Sequence, residues 1–158
     1  MRIFYTDGSC LKNGSSFNEG GFGVVEVNEN DTLISAYSKR NQNTTNNREE
    51  LRAILYVMLT AGSRSPECAP IVYSDSAYCV NTLNEWVFSW AKNNWLKSDK
   101  KTPENLKLIK VYHEWYQKGY RINLKKIKGH AGHKFNELAD ELATGKKHAE
   151  DMWYIEDF

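Results

Sequence analysis

The change in hydrophobic period near residue 45 limits this chain more than any other feature. Three runs rich in β-branched and aromatic residues come first, Arg2 to Asp7, Gly20 to Asn28 and Thr32 to Arg40, joined by turn-rich stretches. They predict three successive strands, and the short connections favour an antiparallel meander. The segment "NEND", Asn28 to Asp31, is the clearest hairpin turn. From Asn46 to Ala61 the apolar residues recur instead at helical spacing: Leu51, Ile54, Leu55, Met58 and Leu59, with Gly62 and Pro66 as the stop. Ala69 to Ser74 then predicts a short strand, and Ser76 to Trp90 a helix with Val80, Leu83, Val87 and Trp90 on one side. A helix from Pro103 to about Lys118, a strand from Arg121 to Ile127 and a helix from Lys134 to Thr144 complete the order. Strands first, then alternating helix and strand, imply an α/β sheet. At 158 residues and 41% hydrophobic composition, the chain suits one compact domain. Only the segment after Gly145 reads as separable.

Net charge excludes a uniformly basic binder, because the formal sum is only +1. Contact with a polyanion must therefore come from local patches. Lys92, Lys97, Lys100 and Lys101 stand against Asp99 alone, and six cations with no acid run from Lys118 to Lys134. Glu150, Asp151, Glu156 and Asp157 offset them in the last ten residues. Cys10, Cys68 and Cys79 lack metal-type spacing, and no charged, apolar leader opens the chain, so a reducing cytoplasm is the expected setting. No apolar run approaches the ~20 residues a spanning helix needs, so no membrane role is expected.

Two of the predicted strands stop on an aspartate flanked by small residues, in "YTDGSC" and "YSDSAY". Taken singly, Asp7 and Asp75 read as turn formers. Glu50, one turn into a helix, suits the positive end of its dipole, and Asp140 suits an ordinary helical ion pair. His130 and His133 are three apart, but the glycine between them argues against a helical metal-ligand face. Together with "TTNNREEL", "KGHAGH" and "NELADELA", in that order, the two aspartate motifs resemble those of the type 1 ribonucleases H, endonucleases that cut the RNA strand of RNA–DNA hybrids. Each motif is weak alone, whereas five in order on matching elements are specific.

The resemblance implies a ribonuclease H-like α/β fold over residues 1–145: a five-stranded mixed sheet, three antiparallel strands plus two parallel, with helices on both faces. Residues 146–158 form an acidic, aromatic tail whose partner is unknown. The family's four acidic positions fall on Asp7, Glu50, Asp75 and Asp140, and its mobile histidine on His130. The implied reaction is two-metal-ion phosphodiester hydrolysis leaving 5′-phosphate and 3′-hydroxyl ends. Two divalent ions about 4 Å apart clamp the attacking and leaving oxygens. Mg²⁺, or Mn²⁺ in its place, prefers oxygen ligands, which four carboxylates supply. In the implied roles Asp7 contacts both ions, Asp75 and Asp140 hold one, and Glu50 holds the other near the ribose 2′-hydroxyl. Glu49 lies next to Glu50, and only the family alignment selects Glu50.

A hybrid cutter must tell the two strands apart by the 2′-hydroxyl. By the same resemblance Cys10, Asn13, Asn46 and Asn47 lie on the RNA side, though the asparagines also suit helix capping. Thr45, Ser89, Trp86 and Trp90 match DNA-strand positions; a tryptophan pair at i, i+4 on a helix is otherwise an ordinary core stripe. "AKNNWLKSDKK", carrying Lys92, Lys97, Lys100 and Lys101, resembles a basic protrusion that some members possess. The chain departs from the pattern in its first loop, "LKNGSSFNEGGFG", at Asn43, where arginine is common, and at Ala77, where a polar residue is common. A monomer is expected. Two rival functions are a non-catalytic clamp, which loss of an acid would favour, and a DNA-cutting or strand-transfer enzyme with a different acid set.

Overall fold

The computed structural model describes residues 1–11, 18–129 and 132–147. Five strands form one sheet: β1 (Ile3–Leu11), β2 (Glu19–Val27), β3 (Leu33–Gln42), β4 (Ile71–Ser74) and β5 (Asn123–Lys126), in the order β3-β2-β1-β4-β5. The first three pair antiparallel, and β4 and β5 add in parallel beside β1. The expected mixed sheet is therefore present. The side chain of Asn28 holds the hairpin after β2, its Oδ1 accepting from the amides of Asn30 and Thr32 at 2.9 and 3.0 Å.

Alternation along the strands divides the core in two. Phe4, Phe22, Val24 and Val72 point to one face, where they pack under α1 (Asn46–Ala61) and α4 (Leu106–Gln117). Tyr5, Val25 and Val27 point to the other face, under α5 (Lys134–Thr144). Leu51, Ala53, Ile54, Leu55, Tyr56, Val57 and Met58 are all buried, so α1 is enclosed on most sides, with Leu59 at its margin. Its bounds are those the periodicity predicts.

Three elements differ most from the sequence reading. β1 does not stop at Asp7; it runs to Leu11 against β2, with Asp7 opposite Gly23 and Cys10 opposite Gly20. The "DGSC" turn signal is overridden because the glycines of β2 offer a flat partner with free backbone groups. The helix expected over residues 76–90 is α2 (Ala77–Asn81), a π-helical turn (Thr82–Trp86) and α3 (Val87–Lys92) in succession. The α4 helix begins at Leu106 rather than Pro103, because Asn105 is left-handed (φ 59°) and its amide donates to the Tyr78 hydroxyl at 3.2 Å. Among the described residues no helix is long and apolar enough to cross a membrane.

Candidate active site

Parallel register brings the two aspartates together. Thr6 pairs with Ser74, and the Thr6 hydroxyl donates to the Tyr73 carbonyl at 2.9 Å, so Asp7, within β1, and Asp75, just past the end of β4, stand side by side. The serines around Asp75 fix its backbone: Ser74 Oγ accepts from the Ser76 amide, and Ser76 Oγ accepts from the Cys79 amide to cap α2, both at 3.1 Å. Helix α1 delivers Glu50. It approaches so closely that a Cβ on Gly8 would lie 2.2 Å from the Glu50 nitrogen, which makes glycine necessary there. Helix α5 delivers Asp140 in the same way. A Cβ on Gly23 would lie 2.5 Å from the Ala139 carbonyl oxygen, so the bare glycine lets α5 lie down on β2.

Carboxylate oxygens of Asp7, Glu50 and Asp75 all lie within 4.8 Å of one another. Asp7 also shares side-chain hydrogen bonds with Glu50 and Asp140, so all four predicted acids meet. Burial, with Asp75 and Asp140 beside it, pushes the Asp7 carboxyl up to about 7 despite its hydrogen bond with Glu50. Glu50 is held well above the usual carboxylate range, again by burial first and then by Asp7. Its Oε2 is enclosed and, among the described residues, has no hydrogen-bond partner. A buried, mutually repelling oxygen cluster with an orphaned acceptor fits a hard divalent cation, which removes the repulsion and gives that oxygen a partner.

Glu49 does something different. It is fully buried and accepts from Asn41 Nδ2 at 2.6 Å, Thr44 Oγ1 at 2.8 Å and Arg52 at 2.5 Å. Two consecutive glutamates thus face opposite ways, Glu50 into the acid cluster and Glu49 into a network tying α1 to β3. Sequence reasoning missed this network, although Arg52 at i, i+3 from Glu49 was its visible signal.

The other predicted residues are distributed as follows. Thr45 is the cap of α1, its hydroxyl accepting from the Arg48 amide at 3.1 Å, and Asn46 and Asn47 form the helix's first turn. Cys10 is buried, its Sγ 3.5 Å from the Thr44 carbonyl. Asn13 and His130 lie outside the described residues. The chain preceding His130 reaches the cluster: a Cβ on Gly129 would lie 2.7 Å from Asp75 Oδ2. His133 is engaged elsewhere, 3.3 Å from the Tyr5 hydroxyl. Asn43 has φ 52°, a left-handed conformation that asparagine adopts at less cost than arginine.

Trp86 is exposed, whereas Trp90 is half-buried against the core. Their rings lie 6.1 Å apart along an open groove of about 450 Å³, lined also by Ser89, Asn93, Leu96 and Lys97. Trp86 is 42% exposed. Lys92, Lys100 and Lys101 stand exposed on the adjoining segment. Its own tryptophan, Trp95, packs back onto α4, edge-on to His113 at 5.1 Å and under Lys110.

Known proteins are similar to this chain in sequence and fold. The RNase H family model matches residues 1–148. A ribonuclease H of Haemophilus influenzae is 42% identical, over 97% of this chain and 96% of its own. A ribonuclease H of Caldanaerobacter subterraneus is 41% identical, over 93% of this chain and 92% of its own. The crystal structure of LC9-RNase H1, described as a type 1 RNase H with the type 2 active-site motif, superposes with a TM-score of 0.75 at 28% identity. That match covers 94% of this chain and 74% of the other.

Proposed function

The chain belongs to the RNase H family, and from that premise we propose that it is an endonuclease hydrolysing the RNA strand of RNA–DNA hybrids. The observation that carries the reading is the convergence of Asp7, Glu50 and Asp75 from two strands and a helix, with a Glu50 oxygen left unpaired.

Asp7, at the centre of the cluster, would be a ligand of both ions, with Asp75 and Asp140 holding one and Glu50 the other. A pair of Mg²⁺ ions, replaceable by Mn²⁺, supplies when bound the charge neutralisation and activated water that cleavage to 5′-phosphate and 3′-hydroxyl ends requires. The protein's own share is positioning. Asn46 and Asn47, on the first turn of α1 beside Glu50, are placed to meet the RNA strand's 2′-hydroxyls. The flat rings of Trp86 and Trp90 suit the DNA strand, with Ser89 and Thr45 near its phosphates. Lys92, Lys97, Lys100 and Lys101 add sequence-independent attraction to the backbone. His130 follows Gly129, whose backbone touches Asp75, and assists proton transfer or product departure. Residues 1–145 form the catalytic domain, and its three free cysteines suit a cytoplasmic setting.

Incubation with labelled RNA–DNA hybrid, duplex DNA and duplex RNA in Mg²⁺ tests the reading. Cleavage confined to the RNA of the hybrid is expected, and Asp75→Asn should abolish it. Cutting of DNA, or equal cutting of all three, would refute the specificity. Binding without turnover at any divalent-ion concentration would favour the clamp function instead.

A further inference from the structure

One edge of the sheet carries positive charge that neither the carboxylate cluster nor the tryptophan groove uses. β5 is the outermost strand, paired only with β4. Lys125 and Lys126 on it are exposed, and so is Lys128 just beyond it. The sequence holds no carboxylate between Lys118 and Lys134. Among the described residues none of these three lysines is in an ion pair, whereas Lys118 and Lys147 each have a glutamate partner. Lys126 donates to the carbonyl of its own neighbour, Ile127, at 3.0 Å, which leaves two of its three N–H groups for another acceptor.

Position matters more than charge. Lys126 pairs with Ser74, the residue before Asp75, and Gly129, the residue after Lys128, packs against Asp75 itself. The strip therefore begins at a candidate ligand and runs away from it. Lysines on an edge strand can serve only to prevent edge-to-edge association. Lys128 does not fit that explanation, since it lies past the last paired residue, Lys126, and guards no open ladder. By the alternation of the strand Lys125 and Lys126 project to opposite sides of the edge, and with Lys128 they flank it over ~10 Å of chain, at about 3.3 Å per residue.

We propose that Lys125, Lys126 and Lys128 form a second phosphate-binding strip, separate from the protrusion, that grips the hybrid's backbone beyond the cleaved bond. The proposal rests on the hybrid-cutting reading, and its consequence is length dependence. A short hybrid that ends at the cleaved bond does not extend along the strip, whereas a longer one that continues past the bond on that side does.

The test compares wild type with the triple variant Lys125→Ala, Lys126→Ala, Lys128→Ala on short and long hybrids. The variant should keep its kcat and its KM for the short hybrid, and its KM for the long one should rise to near the short-hybrid value. Raising salt from ~50 to ~200 mM should weaken wild-type binding of the long hybrid by about 40-fold more than it weakens the variant, at about 3.5-fold per contact for three contacts. Arginine at the three positions should restore wild-type behaviour. An unchanged KM and salt slope would overturn the proposal, as would an equal loss on both lengths; if the variant also forms larger species in sedimentation, the lysines only guard the edge. Binding of uncut long hybrid in chelator, read by the same salt titration, keeps the strip testable even if no hybrid is cut.

Discussion

Asp7→Asn is expected to abolish cutting and, in the absence of divalent ions, to make the protein more heat-stable above neutral pH. The two effects have one cause. Burial and the neighbouring Asp75 and Asp140 raise the folded Asp7 carboxyl from 3.8 to about 7. Between those values the folded state binds more protons than the unfolded one, so stability falls as pH rises from about 4 to about 7 and the loss is complete above it. At about 1.4 kcal/mol per pH unit the interval corresponds to about 4 kcal/mol, part of it shared with Glu50. Asparagine removes the charge but keeps the Oδ1 that accepts from the Gly8 amide at 2.9 Å, so the backbone there is undisturbed. For a chain of this size about 4 kcal/mol is a rise of roughly 10 °C in Tm. Circular dichroism melts of both proteins in chelator, from pH 4 to pH 8, measure it. The gap should be near zero at pH 4 and widest at pH 8, and added Mg²⁺ should raise the wild-type Tm more than the variant's. A variant that melts at or below wild type at pH 8 would refute the repulsion argument.

The adjacent glutamates should separate cleanly. Glu49→Ala should cost about 3–5 kcal/mol in denaturant unfolding, because Arg52 and Thr44 lose their enclosed partner. Glu50→Gln should leave Tm at or above wild type while hybrid cleavage disappears. Gly23→Ala should lower stability by about 1–3 kcal/mol and reduce cleavage, since the new methyl sits 2.5 Å from the Ala139 carbonyl oxygen and must push α5, with Asp140, off the sheet. Asn43→Arg should cost about 1 kcal/mol for its left-handed backbone, read from chemical unfolding, and should lower KM if the arginine reaches a phosphate.

The bounds of helix α1 were legible because its period and its Gly62 stop are local, although the cap is Thr45 and not the asparagines that follow it. Boundaries failed where a partner decided them. Asp7 looked like the end of a strand, yet β2 supplies glycines opposite it and pairing continues to Leu11. The π-helical turn at Thr82–Trp86 lies in a stretch whose apolar spacing alone reads as plain α-helix. Trp86 and Trp90 show the same limit. An i, i+4 pair fixes a shared face, but whether that face meets core or solvent depends on what packs against it.

By itself the sequence determined the kind and order of elements, because hydrophobic period and stop signals are properties of short stretches, while the four acids were selected by the resemblance of its motifs to a family. The tertiary structure supplied the physical reason that Glu50 and not Glu49 enters the acid cluster, since one helical step of about 100° between neighbours has meaning only once α1 is seated on β1. It also decided that Gly8 and Gly23 are the contacts that let two helices come close enough to bring Glu50 and Asp140 to Asp7. Convergence of charges from strands and helices far apart in the chain is a matter of register and approach distance, and neither is written in any local segment.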